Sequence, residues 1–309
     1  MKVLVTGATE NFGPLLIKKL SENPEITEII ALKSSDIDYH QEDDDENYEK
    51  VSLAVAKNLR PRALEDVFKK NPNIDVVFHI AYSDKPQKKE NKQFTHETNV
   101  FGTMRVLDLC EKYGVKKFIY KSPSSIYGAN SDNPALIKED YPLRGNRNYQ
   151  ALRDKIETDI LCQTRIREGK YPKIVILRFC GILGEHIRSP LNTAFSQLFV
   201  PVILGYDPMF QVIHENDVID ALILSAFNEE AEGIFNIAGR YTQPLTEVIK
   251  RLGKIPLPVS RLAMDIFYKP YFMLKREHTF PFDISYWIYP FVIDTKRAKE
   301  VLKFEPKVI

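Results

Sequence analysis

Residues 2–6, Lys-Val-Leu-Val-Thr, read as a short buried strand. The turn Gly7-Ala8-Thr9-Glu10-Asn11-Phe12-Gly13 leads from it into a helix over 14–21. No other stretch constrains the fold as tightly. A strand, a glycine turn and a helix in that order form the opening unit of a dinucleotide-binding fold. Glycine lets the backbone approach a pyrophosphate, which then rests on N–H groups at the helix start. A glycine-x-x-glycine-x-x-glycine spacing places its middle glycine at position 10, where this chain has Glu10. If that position needs a positive φ, a side chain there costs about 1–2 kcal/mol. A carboxylate beside two phosphates adds repulsion, and each ~1.4 kcal/mol is tenfold in affinity.

The opening unit is followed by alternation. Strands are expected at 28–32, 50–53, 75–79, 117–121 and 173–178, and helices at 62–70, 96–113, 147–169, 216–228 and 244–252. Such alternation implies an α/β fold, a doubly wound parallel sheet with helices on both faces. Beyond about residue 180 prolines and aromatics become dense, as in Phe267-Tyr268-Lys269-Pro270-Tyr271-Phe272 and Tyr286-Trp287-Ile288-Tyr289-Pro290-Phe291. The expected organisation is a Rossmann core over 1–180, with 210–240 returning to it, and a smaller substrate lid formed mainly by 181–309. The length of 309 residues suits that division.

Charge excludes several function classes. Lys plus Arg is 43 and Asp plus Glu is 42, a net of +1, which leaves no electrostatic footprint for nucleic acid. The run Glu42-Asp43-Asp44-Asp45-Glu46 reads as a solvated loop, and no metal site is expected. Cys110, Cys162 and Cys180 are too scattered for a disulfide framework or a zinc site, which points to a reduced, cytoplasmic compartment. No apolar run reaches the ~18 residues of a membrane span. The first strand uses the N-terminus at once, so no signal peptide is expected.

Several further motifs occur in a fixed order: Val77-Phe78-His79-Ile80-Ala81, Asn99-Val100-Phe101-Gly102-Thr103, Phe118-Ile119-Tyr120 and Ile126-Tyr127-Gly128. Ile176-Leu177-Arg178, His214-Glu215-Asn216-Asp217-Val218 and Gly233-Ile234-Phe235-Asn236-Ile237-Ala238-Gly239 follow. Together with Val5-Thr6-Gly7-Ala8-Thr9 they make the chain resemble the extended short-chain dehydrogenase/reductase superfamily, in its NAD-dependent epimerase/dehydratase branch. The resemblance implies that Gly7, Thr9, Glu10, Asn11, Phe12 and Gly13 form the phosphate turn. It places Asn58 and Leu59 beside adenine, Ala81 and Tyr82 along the coenzyme, and Asn99 as a structural bridge near the site. Lys33 follows the second strand, where NAD-preferring members carry an acid. With Ser34 and Ser35 it favours NADP over NAD.

The resemblance also implies a tyrosine that exchanges a proton with the substrate, a lysine one helical turn later that holds the ribose, and a serine on the substrate oxygen. Two registers remain open for the helix Tyr149-Gln150-Ala151-Leu152-Arg153-Asp154-Lys155. One pairs Tyr149 with Arg153. The other, favoured here, takes Lys155 as the lysine and finds Ala151 where tyrosine belongs. Tyr149 and Lys155 cannot form the usual pair, because six residues turn a helix by roughly 600°. In Ser122-Pro123-Ser124-Ser125, proline falls where the working hydroxyl should be, which leaves Ser122 and Ser124 as candidates.

Two functions follow. One is an NAD(P)-dependent oxidoreductase or epimerase with an altered, impaired site, acting on a nucleotide sugar or another secondary alcohol or ketone. Its proton-transfer group would be Tyr149 or Tyr127, helped by Lys155. The other is a non-catalytic dinucleotide- or metabolite-binding module, a sensor or scaffold. His79 is expected to be a core residue. His214 and Asp217 are expected to support the lid, while His186 and Arg188 are candidates to face substrate. By analogy, a homodimer would form through the helices at 96–113 and 147–169.

Overall fold

In a computed structural model, residues 1–33, 49–56, 59–82, 95–169, 172–264, 266 and 283–308 are described. The acidic run, Ser34, Ser35, Asn58 and the aromatic cluster at 267–272 lie outside them.

A seven-stranded parallel sheet forms the centre. It comprises β1 (Lys2–Thr6), β2 (Glu28–Lys33), β3 (Val51–Val55), β4 (Val76–His79), β5 (Lys117–Pro123), β6 (Lys173–Phe179) and β10 (Gly233–Ile237). Their order across the sheet is β10-β6-β5-β4-β1-β2-β3. β1 and β4 pair between Thr6 and His79, and β1 and β2 pair between Thr6 and Leu32, so the C-terminal ends of three strands line up at one edge. The chain reverses direction across the sheet between β1 and β4, which is where a doubly wound fold places its ligand crevice.

Alternate residues of the strands feed two cores. Val3, Val5, Ile29, Ala31 and Phe78 pack with α1 (Gly13–Ser21) on one face. Leu4, Ile30, Leu32 and Val77 pack with α2 (Pro61–Lys70) and α3 (Gly102–Lys112) on the other. Pro14 in the first turn of α1 and Lys18 and Lys19 in its last turn match the demands of helix ends. The expected helix at 96–113 is in two pieces: a wider π-type turn (Glu97–Phe101) runs into α3. The helix expected from 147 starts later, as α4 (Gln150–Glu168), and ends at Gly169 with φ +66°.

The remaining chain adds β7 (Gly181–Leu183), α5 (Pro190–Ser196), β8 (Phe199–Ile203), β9 (Met209–His214), α6 (Glu215–Phe227), β11 (Thr242–Pro244), α7 (Leu245–Arg251) and β12 (Ile255–Val259). β11, β9 and β7 form a second sheet, and β12 pairs with β8. Sequence periodicity showed none of these short strands. Their third core gathers Phe195, Val200, Val202, Phe210, Ile249 and Trp287. Through α6 and β10, residues 215–237 rejoin the central sheet. Among the described residues no helix is long and apolar enough to cross a membrane.

Candidate active site

The β1–α1 turn is built from two tight reversals. The Glu10 N–H donates to the Gly7 carbonyl at 3.2 Å, and the Gly13 N–H donates to the Glu10 carbonyl at 2.8 Å. Both glycines are required by space. A Cβ on Gly7, which has φ +75°, would lie 2.6 Å from the Ala81 Cα. One on Gly13 would lie 2.4 Å from the Gly7 carbonyl oxygen. The positive φ expected at position 10 falls instead on Asn11, at 46°. Asparagine adopts that region more readily than most residues, so the strain anticipated for Glu10 is absent. Asn11 also receives the Arg188 N–H at Oδ1, 3.0 Å away, which ties the turn to the segment after β7. Thr9 Oγ1 is buried with no hydrogen-bond partner. Phe12 is buried beneath Lys121, whose Nζ lies 5.0 Å from the ring centroid. Two glycines packed close to the backbone and one orphaned hydroxyl fit a phosphate-bearing ligand at this turn.

The flanks of the crevice carry the other expected binding residues. Lys33 is the last residue of β2 and is half-buried. Leu59 is buried with φ +52° and sits against Gly102, where a Cβ would come within 2.9 Å of its side chain. Asn99 is buried in the turn before α3. Its carbonyl accepts from Thr103 Oγ1 at 2.6 Å, and that hydroxyl lies 2.8 Å from His79 Nε2. His79 Nδ1 is 2.7 Å from Thr6 Oγ1. With both ring nitrogens held and no solvent access, His79 is a core residue, and burial lowers its pKa to about 3.

The lysine helix presents an arrangement that the sequence reading missed. Tyr82 reaches across from the end of β4 and donates its hydroxyl to the Ala151 carbonyl, 2.5 Å away. Lys155 Nζ lies 4.1 Å from the centroid of the same ring. A phenol and an ammonium thus meet beside position 151. Tyr149 precedes the first helical turn, in extended backbone with φ −88° and ψ 111°. Arg153 is exposed, with Glu157 Oε1 3.9 Å away. Lys155, the cation of one register, lies against the Tyr82 ring, and Arg153, the cation of the other, is exposed. The usable signal was a tyrosine just past β4 in a chain whose helix lacks one at 151.

The two serine candidates part company. Ser122 is fully buried and donates to Asp159 Oδ2 at 2.7 Å. Asp159 is also gripped by Arg178, from Nε at 3.1 Å and Nη2 at 2.6 Å. Arg178 Nη1 donates to the Tyr127 hydroxyl at 2.6 Å, and that hydroxyl donates to Asn236 Oδ1 at 2.8 Å. Tyr127 is pushed up to about 12 by burial, with Arg178 opposing. This network holds β5, β6, β10 and α4 together. Ser124 opens the turn Ser124–Tyr127 and is buried, with no hydrogen bond of its side chain among the described residues. Next to it, the Ser125 carbonyl accepts from the Tyr286 hydroxyl at 2.6 Å, so the segment around residue 286 touches this edge.

Other polar residues brace the fold. His186 Nδ1 is 2.8 Å from Glu215 Oε1. His214 caps α6 by accepting from the Asn216 N–H, and Asp217 accepts the N–H groups of Lys307 and Val308. All three cysteines are free and buried, and burial raises their thiols, Cys180 to about 12.

Comparison with known proteins narrows the reading. A family model described as "NAD dependent epimerase/dehydratase family" matches residues 3–238. An uncharacterised protein of Mycobacterium tuberculosis strain H37Rv is 28% identical over 311 residues, covering 99% of this chain and 80% of the relative. UDP-glucose 4-epimerase of Bacillus subtilis is 26% identical over 188 residues, covering 60% of this chain and 54% of the relative. Among solved structures, UDP-glucose 4-epimerase of Thermotoga maritima with UDP-glucose aligns at TM-score 0.73 and 20% identity, covering 100% of this chain and 94% of the other. A dTDP-glucose 4,6-dehydratase of Bacillus anthracis in complex with NAD aligns at 0.74 and 17%, covering 100% and 92%.

Proposed function

The chain belongs to the NAD-dependent epimerase/dehydratase family, and from that premise we propose that it is an NAD(P)-binding oxidoreductase or epimerase acting on a nucleotide-linked sugar. Its proton-transfer phenol is Tyr82, on the β4 side of the crevice. The observation that carries this reading is the meeting of Tyr82, Lys155 and the Ala151 carbonyl. Relatives that bear the names of nucleotide-sugar enzymes support the substrate class.

The residues divide the work as follows. The Gly7–Gly13 turn and Thr9 would hold the diphosphate, and Leu59 the adenine side. Asn58, outside the described residues, is assigned to the same place by position. Lys33 at the end of β2 supports NADP as the preferred form. When bound, the nicotinamide supplies a hydride acceptor and donor. Once its own proton, held on the Ala151 carbonyl, has left to solvent, the Tyr82 phenolate would take the proton of the substrate hydroxyl and return it in the reverse direction. A positive charge beside a phenol stabilises the phenolate, which is the role of Lys155 together with holding ribose hydroxyls. Ser124, whose hydroxyl is uncommitted, is better placed than Ser122 to donate to the substrate oxygen.

A second reading, a non-catalytic dinucleotide or metabolite sensor, is favoured by one observation: Ser122 is spent on Asp159 while Pro123 and Ala151 carry no working hydroxyl. Turnover decides between them. UDP-glucose and dTDP-glucose are incubated with protein and coenzyme, and products are followed by NMR. Loss of a positioned acid–base group costs about 10²–10⁴ in rate, so Tyr82→Phe should fall by that factor and Tyr149→Phe should not. Binding of coenzyme with no product from either sugar supports the sensor.

A further inference from the structure

On the helix of Lys155, one group of side chains brings a histidine and two carboxylates together, with an unfilled acceptor on one of them. His96 leads into the turn Glu97–Phe101, and Asp154 and Glu157 lie three residues apart on α4, hence on one face. His96 Nδ1 is 2.9 Å from Asp154 Oδ1 and 3.7 Å from Glu157 Oε2. One ligand atom from each residue lies within 4.8 Å of the others. The Asp154 side chain is fully sealed from solvent, and its Oδ2 has no hydrogen-bond partner. A buried carboxylate oxygen without a donor is costly, and in native proteins such an atom marks an unfilled site or strain. Arg153 Nε, 3.9 Å away, approaches Oε1 of Glu157, the other oxygen from the one nearer His96.

We propose that His96, Asp154 and Glu157 bind a divalent cation of the zinc class, with water in the fourth position. Zinc takes imidazole nitrogen and carboxylate oxygen at about 2.0–2.2 Å in tetrahedral geometry, which separates ligand atoms by about 3.4 Å. The distances of 2.9 and 3.7 Å bracket that value. The partly exposed Glu157 closes the remaining edge by a small side-chain rotation. A dication with two carboxylates and a neutral imidazole leaves no net charge, and it draws on a carboxylate that has one oxygen in the cluster and the other without a donor. The ion ties the turn that carries Asn99 to α4, one residue before Lys155. Sequence spacing hides the site because His96 is far from the other two ligands along the chain.

The test uses the full chain, stripped of metal with a chelator. Zn²⁺ is titrated by calorimetry, and Co²⁺ by visible absorption as a spectroscopic stand-in. The expected result is one ion per chain, with affinity lowered at least about tenfold in His96→Ala and in Glu157→Gln. Glu157 is partly exposed, so Glu157→Gln keeps the fold, which circular dichroism verifies. His186→Ala, which removes a separate histidine–carboxylate pair, should leave binding unchanged. Absence of a stoichiometric ion in the wild-type chain overturns the proposal. Binding that survives both His96→Ala and Glu157→Gln shows an adventitious ion only, and also overturns it.

Discussion

Where the β1–α1 turn stores its strain can be tested by substitution. Asn11 has φ 46° and its Oδ1 receives the Arg188 N–H at 3.0 Å, whereas Glu10 has no positive φ. Asn11→Ala places an ordinary side chain in the left-handed region, at about 1–2 kcal/mol. It also removes a hydrogen bond worth about 0.5–1.5 kcal/mol. The expected loss is therefore about 1.5–3.5 kcal/mol. With an unfolding entropy of roughly 2.1 cal/mol/K per residue, that lowers Tm by about 2–5 °C for a chain of 309 residues. Asn11→Gly loses only the hydrogen bond and a little backbone entropy, so it should fall less. Glu10→Ala relieves no backbone strain, because Glu10 has no positive φ. Thermal melts by circular dichroism give the ranking. A Glu10→Gly variant that gains stability beside a neutral Asn11→Ala would refute the assignment of strain to Asn11.

Three further outcomes follow from the buried polar groups and the crevice. Arg178→Met leaves Asp159 buried without its cation and should cost about 3–5 kcal/mol, read as a lower denaturation midpoint. A paired Asp159→Leu, Arg178→Met change should recover part of that loss. His79 has a native pKa near 3 because burial disfavours the imidazolium. The unfolded chain takes up that proton first, so stability is full above about pH 6.5 and declines toward about pH 3, by at most ~1.4 kcal/mol per pH unit. Urea melts across that range should show a flatter slope in His79→Gln, and an unchanged slope contradicts the assignment. Gly7→Val, with a side chain forced against the Ala81 backbone, should abolish coenzyme binding while the fold measured by circular dichroism persists.

The elements that sequence made legible are those whose signal is local. The strand before Gly7, the apolar runs of β2, β4, β5 and β6, and the amphipathic helices carry their periodicity within about ten residues. The short strands β7, β8, β9, β11 and β12 carry too few residues to show a period, and their pairing partners are distant in the chain. Site chemistry was legible where it depends on backbone, as at Gly7 and Gly13. It was obscured where it depends on long-range meetings. Ser122 looked available because the Asp159–Arg178 pair that uses its hydroxyl is assembled from α4 and β6. A buried arginine within the apolar strand β6 was a hint, since it demands a buried acid. Tyr82 was assigned to the coenzyme's path, and only the fold brings its hydroxyl to Ala151 and its ring under Lys155. The strain expected at Glu10 was displaced by one residue, because the turn closes through two successive reversals rather than one.

The claim on which the functional account turns is that the β1–α1 turn still receives a dinucleotide diphosphate. Fluorescence titration of NADH and NADPH into the wild-type chain and Thr9→Val measures it directly. Thr9 Oγ1 is the buried hydroxyl without a partner, and a hydrogen bond to a charged group is worth about 1.5–3 kcal/mol. The account predicts saturable binding in the wild type and affinity about tenfold or more weaker in Thr9→Val. No saturation with either nucleotide, or equal affinity in the two proteins, would contradict it.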